Sequence, residues 1–146
     1  LTASSIEAGE FVARFASFWS APGPERLDEV LAENVRLVTP MTPDSRTLEE
    51  ARESFVQFLG LIQGLKGEVR RWGATEDGVL VELRLEGRLG GRPVTLDAID
   101  RVVIGEDGRA IERISYFDPT PLVLAALRRP GTWPRFARSR LRRLRR

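Results

Sequence analysis

The sequence predicts one small α+β domain, in which N-terminal helices pack on one face of a strongly curved antiparallel sheet that encloses a pocket. Three observations predict it. Apolar residues recur at helical spacing up to about residue 64, turn signals cut residues 67–117 into extended runs, and one run alternates strictly between apolar and charged side chains. Helices that all precede a meander pack on one side of a bent sheet; a parallel βαβ arrangement would interleave them.

The elements follow in order. Ser4 and Glu7 have the spacing of a capping box, and Phe11, Val12, Phe15, Phe18 and Trp19 then fall on one helical face. Ala21-Pro22-Gly23-Pro24 breaks that helix, and Pro24 suits the first turn of a short second one carrying Leu27, Val30 and Leu31. Residues 35–39 are predicted as a strand and residues 40–46, with two prolines, as a loop. Thr47 and Glu50 form a second capping box leading into Leu48, Phe55, Phe58, Leu59 and Ile62, a helix expected to end near Gly64. Turns at Glu76-Asp77-Gly78, Leu89-Gly90-Gly91 and Gly105-Glu106-Asp107-Gly108 then divide an antiparallel meander with strands near residues 69–74, 79–88, 92–104 and 109–117. Val79, Val81, Leu83 and Leu85 alternate with Leu80, Glu82, Arg84 and Glu86, so one face of that strand meets the core and the other meets water or a partner. Asp118 precedes Pro119 as the cap of a last short helix over residues 121–127.

Composition narrows the chemistry. At 146 residues and 42% apolar content the chain suits one core without metals or disulfides. There is no cysteine and no histidine, so thiolate nucleophiles, Ser-His and Cys-His pairs are excluded, and zinc would need an all-carboxylate site. No metal site and no cofactor is expected; a search for phosphate loops, EF-hands and dinucleotide fingerprints finds none. The longest apolar run, residues 122–127, is too short to span a bilayer, and no basic-then-apolar leader is visible, so a soluble cytoplasmic protein is expected.

The net charge of +2 conceals an asymmetry: residues 128–146 hold nine arginines and no acid, which leaves a body of −7 and a tail of +9. The domain is therefore placed at residues 1–127 and the arginine-rich tail at 128–146. Trp133, Phe136, Ala137, Leu141 and Leu144 make a partly helical stripe in that tail. Packing on the acidic body or a partner is the first expectation for it. Membrane-surface contact is possible but not favoured, and nucleic-acid binding is not expected.

The order of elements, together with IDRVVIGEDGRAIERISYFDP at residues 99–119, resembles the SnoaL-like branch of the nuclear transport factor two-like superfamily, over about residues 4–127. The resemblance implies a cone-shaped, cystatin-like roll, commonly a homodimer through the sheet. Its relatives include polyketide cyclases, ketosteroid isomerases and limonene-type epoxide hydrolases, and fold alone does not choose among them. Against the isomerases, Phe15 stands where an oxyanion-hole tyrosine is expected and Thr39 where the general-base aspartate is expected, while Asp100 matches the aspartate that donates a hydrogen bond. Against the epoxide hydrolases, Ser115 replaces an aspartate, and Glu82 and Arg84 keep the spacing of the Arg and Asp pair but on the charged face.

Asp100 is the catalytic candidate. On a strand face with Leu96, Ala98 and Val102 it could be a neutral acid or oxyanion donor, or else the partner of a cross-strand arginine such as Arg113 or Arg71. Phe15, Trp19, Thr39, Met41, Phe55, Leu59, Trp72, Ser115 and Phe117 are the candidates for the wall of a site for a small hydrophobic molecule, with Ser115 rather than Tyr116 turned inward. The function expected is ligand binding, with cyclase- or isomerase-type catalysis through Asp100; the alternative is a noncatalytic binding or dimerisation module.

Overall fold

In a computed structural model, which describes residues 5–128, three α-helices and a short 3₁₀ helix accompany a six-stranded sheet. Helix α1 (Ser5–Ser20) buries Phe11, Phe15, Phe18 and Trp19, the stripe its periodicity predicts. The 3₁₀ helix Pro24–Glu29 follows, then β1 (Leu31–Thr39), β2 (Thr42–Ser45) and α2 (Leu48–Leu61). Strands β3 (Gln63–Ala74), β4 (Gly78–Leu89), β5 (Arg92–Ile104) and β6 (Ala110–Phe117) form the meander, and α3 (Thr120–Leu127) closes the described chain. The Ser4 cap and residues 129–146, which include the stripe from Trp133 to Leu144, lie outside the described residues.

The α+β class and the packing of helices on one sheet face agree with the sequence, but the sheet's direction and closure and several element bounds differ. The sheet is mixed. Its order is β2-β1-β6-β5-β4-β3, and β1 runs parallel to β6, with Leu37 beside Arg113 and Val38 beside Ile114. A long crossover through α2 and the meander separates these two strands, so no hairpin forces them antiparallel. The sheet is also open, with β2 and β3 at its edges. The segment 40–46 is not a plain loop: Met41 takes a left-handed turn (φ 71°) and Thr42–Ser45 folds back antiparallel on β1. Finally, Leu31 opens β1 instead of closing a helix, and β3 starts at Gln63, six residues before the predicted strand, because helix α2 stops at Leu61.

Local chemistry accounts for the start of α2. The Thr47 hydroxyl accepts from Glu50 N–H at 3.1 Å, and the Glu50 carboxylate accepts from Arg46 N–H at 2.8 Å, a reciprocal cap displaced by one residue from the ideal box. Asp118 Oδ1 accepts from Thr120 N–H at 2.9 Å ahead of α3, and the Thr120 hydrogen bonds hold this carboxyl below its ordinary value, the hydroxyl contributing most. The core lies between α1 and the inner faces of β3 to β6, where Val79, Val81, Leu83 and Leu85 are buried as their alternation predicts. Gly67 permits the close approach that seats the end of α1: a Cβ there would lie 2.9 Å from both Trp19 Cβ and Leu85 Cδ2.

Candidate functional site

A cavity of about 80 Å³ opens between the C-terminal end of α1, α2 and the sheet. Trp19, Phe55, Leu37 and Phe117 wall it with apolar surface, while Thr39, Thr42, Ser54, Ser115 and Arg113 supply polar groups. Among the described residues, Arg113 is the only charged side chain on that wall.

The strand register explains how the polar end is assembled. Asp100 on β5 is paired directly with Ser115 on β6, and Arg113 lies two residues along β6, diagonal to Asp100 on the same face. Asp100 is fully buried, Ser115 nearly so, and the Arg113 side chain is 11% exposed. Arg113 Nε donates to Asp100 Oδ2 at 2.8 Å, Nη2 makes an ion-pair contact with the same oxygen at 2.7 Å, and Ser115 Oγ donates to Oδ1 at 2.6 Å. Both carboxylate oxygens are thus engaged as acceptors. Of the two expectations for Asp100, the geometry is that of the ion pair with Arg113, not of a neutral donor facing the cavity. Asp100 sits one layer behind the wall and acts on the cavity through Arg113 and Ser115.

The guanidinium is also held from the helix side. Its carbon lies 5.3 Å from the centroid of the Phe15 ring and 5.4 Å from that of Trp19, distances at which a cation is attracted to an aromatic face. Trp19 packs edge-on to Phe18 and Phe55, at 5.3 and 6.0 Å between centroids. Among the described residues, Trp19 Nε1 is the one buried side-chain polar atom with no hydrogen-bond partner. An unsatisfied buried donor costs roughly 1–3 kcal/mol, so its presence beside a cavity is informative.

Five of the nine predicted wall residues meet at the cavity: Trp19, Thr39, Phe55, Ser115 and Phe117. Thr39 also exchanges a hydroxyl hydrogen bond with Thr42 across the β1–β2 turn. The other four do not line it. Phe15 is 1% exposed and fills core beneath Arg113; Met41 and Leu59 pack against the core's edge. Trp72 is 45% exposed and its ring lies beside Gly9, ten residues and about 15 Å up α1 from Trp19. Inward parity alone cannot say how far along a strand the helix covers it. Arg113, absent from the predicted wall, was detectable by parity with Ser115 on β6. Tyr116 is exposed, as expected from the same alternation.

A wider depression of about 670 Å³ lies between β2 and α2. Asp44, Glu49 and Glu53 on its lining stand in solvent, and it holds no counterpart of the buried pair, so its size does not make it the better site. Among the described residues no three Asp, Glu, His or Cys side chains gather closely enough to hold a metal ion, and no helix is long and apolar enough to cross a membrane.

An open mixed sheet with helices on one face and a polar pair beneath an apolar cavity defines the ketosteroid isomerase-like, or nuclear transport factor two-like, class of fold. Residues 12–113 match the SnoaL-like domain, and the chain belongs to that family. Among solved structures it is similar to a protein of Jannaschia sp. CCS1 assigned as a SnoaL-like polyketide cyclase, with 17% identity, 86% of this chain and 96% of that one covered, and a TM-score of 0.71. An LEH-like epoxide hydrolase of M. tuberculosis gives 18% identity over 90% of this chain and 97% of that one, with a TM-score of 0.68. A protein of ketosteroid isomerase-like fold from Catenulispora acidiphila DSM 44928, in complex with trimethylamine, gives 14% identity, coverages of 80% and 91%, and a TM-score of 0.71. At these identities the likeness is one of fold. No curated protein matches the chain by sequence.

Proposed function

We propose that this SnoaL-like protein binds a small, mainly apolar molecule in the cavity and performs cyclase- or isomerase-type chemistry through the Asp100–Ser115 pair. The observation that carries the reading is a fully buried carboxylate hydrogen-bonded at 2.6 Å to a serine on the cavity wall. Ser115 already donates its proton to Asp100, so its oxygen presents lone pairs to the cavity. A substrate with an acidic carbon gives its proton to Ser115 Oγ as the serine proton passes to Asp100 Oδ1; reversal of the same transfer returns a proton after the new bond forms or the double bond moves. Such chemistry suits a chain with no histidine, because the substrate supplies the acidity. The polyketide cyclase assignment of the Jannaschia protein supports this class of reaction.

The test is turnover of small single-ring carbon acids by the wild type, Asp100→Asn and Ser115→Ala, with circular dichroism confirming that the variants fold. Loss of turnover in both variants is expected. Unchanged turnover in a folded Asp100→Asn protein overturns the role of Asp100. A noncatalytic binding role is the second reading, favoured by Phe15 standing where a related isomerase has a donor and by Asp100 lying behind the wall. Native mass spectrometry showing a retained ligand, with no turnover of any carbon acid, would select it.

The homodimer through the sheet belongs to the same proposal. Leu80, Ile99 and Tyr116 are 44%, 50% and 57% exposed, and register places Ile99 opposite Tyr116 with Leu80 diagonal to Ile99 on the same outer face. Sedimentation velocity should find a dimer that Ile99→Lys shifts toward monomer; a wild-type monomer at micromolar concentration overturns it.

A further inference from the structure

We infer that the ligand is a small ring bearing an ionised, enol-type oxygen, and that Trp19 Nε1–H and Arg113 Nη1–H are the two donors that hold this oxygen. The inference rests on the cavity reading above and specifies what the cavity selects. Two independent observations meet at one wall. Trp19 lines the cavity, is 2% exposed, and carries the unpartnered buried donor among the described residues. A buried N–H without an acceptor is rare, and a ligand oxygen supplies what the protein does not. Arg113 lies against the same indole, its carbon 5.4 Å from the Trp19 ring. Its Nε and Nη2 are committed to Asp100, while Nη1 donates to no acceptor among the described residues.

The remaining polar groups on the wall point the same way. Ser115 has spent its proton on Asp100, and Thr39 and Thr42 are hydrogen-bonded to each other. Ser54 and one hydroxyl of the Thr39–Thr42 pair still have a proton to give, but Arg113 brings the one charged donor among the described residues of this wall, and beside the unspent indole N–H it favours a negatively charged acceptor. Asp100 offsets the arginine charge from behind, but the cavity meets the cation first, because Arg113 is on the wall and Asp100 is not. The volume of about 80 Å³ holds roughly six water-sized centres, enough for one ring with its substituents.

Two probes of nearly equal shape test this: cyclohexane-1,3-dione, an enolic acid ionised at neutral pH, and cyclohexanone, which is neutral. The three tryptophans give three indole N–H cross-peaks in a proton–nitrogen correlation spectrum, and Trp19→Phe identifies one of them. The dione should move the Trp19 indole proton downfield and bind about tenfold tighter than the ketone; Trp19→Phe should remove that preference, lowering dione affinity about tenfold and leaving the ketone unchanged. Should Trp19→Phe fail to fold, the wild-type spectrum decides, with the Trp19 peak assigned by through-space contacts to Phe18 and Phe55. If both probes shift the amides of Ser115 and Phe117 equally and leave the Trp19 indole unmoved, the oxygen site is overturned and the cavity reading stands. If neither probe shifts any cavity resonance at millimolar concentration, the cavity reading falls and this inference falls with it.

Discussion

Arg113–Asp100 and Arg101–Glu112 are built from neighbouring residues of the same two strands, in the same diagonal relation across β5 and β6, yet they face opposite sides of the sheet. Their shortest contacts are nearly equal, 2.7 and 2.8 Å. Burial separates them: Asp100 and Arg113 are 0% and 11% exposed, Glu112 and Arg101 25% and 40%. On the outer face water solvates both ions whether or not they pair, so little is lost when the pair breaks. On the inner face each ion depends on the other, and the pair is poised to act on whatever enters the cavity. One sheet thus uses the same pairing of an arginine with a carboxylate for surface charge on one side and for a candidate site on the other.

The largest effect should come from removing one inner partner. Arg113→Ala leaves Asp100 buried without its cation and should destabilise by about 3–5 kcal/mol, read from urea denaturation. The double variant Asp100→Leu/Arg113→Met should recover most of that loss; a single variant within 1 kcal/mol of wild type, on the order of a surface pair, would erase the contrast between the faces. Next comes a steric comparison on β3. Gly67→Ala drives a methyl into Trp19 and Leu85 and should cost about 1–3 kcal/mol, whereas Gly73→Ala has nothing within 4 Å and should be neutral or stabilising by up to about 1 kcal/mol. Thermal melts of the two variants should move in opposite directions or by clearly different amounts. On the outer face, Arg101→Ala should change the denaturation free energy by less than about 1 kcal/mol, with the difference shrinking further in high salt.

The smallest effect is a pH dependence at the surface. The Arg84 hydrogen bond holds the Asp97 carboxyl below its ordinary value of 3.8, and hydrogen bonds from Arg109, its backbone N–H foremost, do the same for Asp107. A depressed folded-state value means that the contribution is fully present above the unfolded value and is lost as pH falls through the folded one. Asp97→Asn should therefore lower the melting temperature slightly near neutrality, where that contribution is present, and converge with wild type as the pH falls below about 4. A change at pH 7 as large as that of Arg113→Ala would show that this outer pair is not simply solvated.

Much of the fold was legible because local patterns carried it. The stripe from Phe11 to Trp19, the alternation on β4, the cap at Thr47 and the three turns of the meander each name an element from a few adjacent residues. The bounds of β5 agree with the predicted strand at both ends, since turns delimit it on either side. The parallel seam between β1 and β6 was not legible, because strands separated by some seventy residues leave no local mark of their direction. The candidate site divides along the same line. Parity put Asp100 on an apolar strand face and allowed only one of Ser115 and Tyr116 to turn inward, the family motif favouring Ser115, whereas Trp72 is half-exposed beside Gly9, away from the cavity.

By itself, then, the sequence determined the element types, the face each side chain takes, the chemistry excluded by lacking histidine and cysteine, and Asp100 as the buried acid to watch. Only the tertiary structure decided that Arg113 claims Asp100, that Ser115 stands between this carboxylate and the cavity, and that Trp19 keeps a buried donor unspent. The physical reason is range. Propensity, capping and alternation act over a few residues, while an ion pair and an unsatisfied donor depend on which distant atoms the closed core brings within about 3 Å.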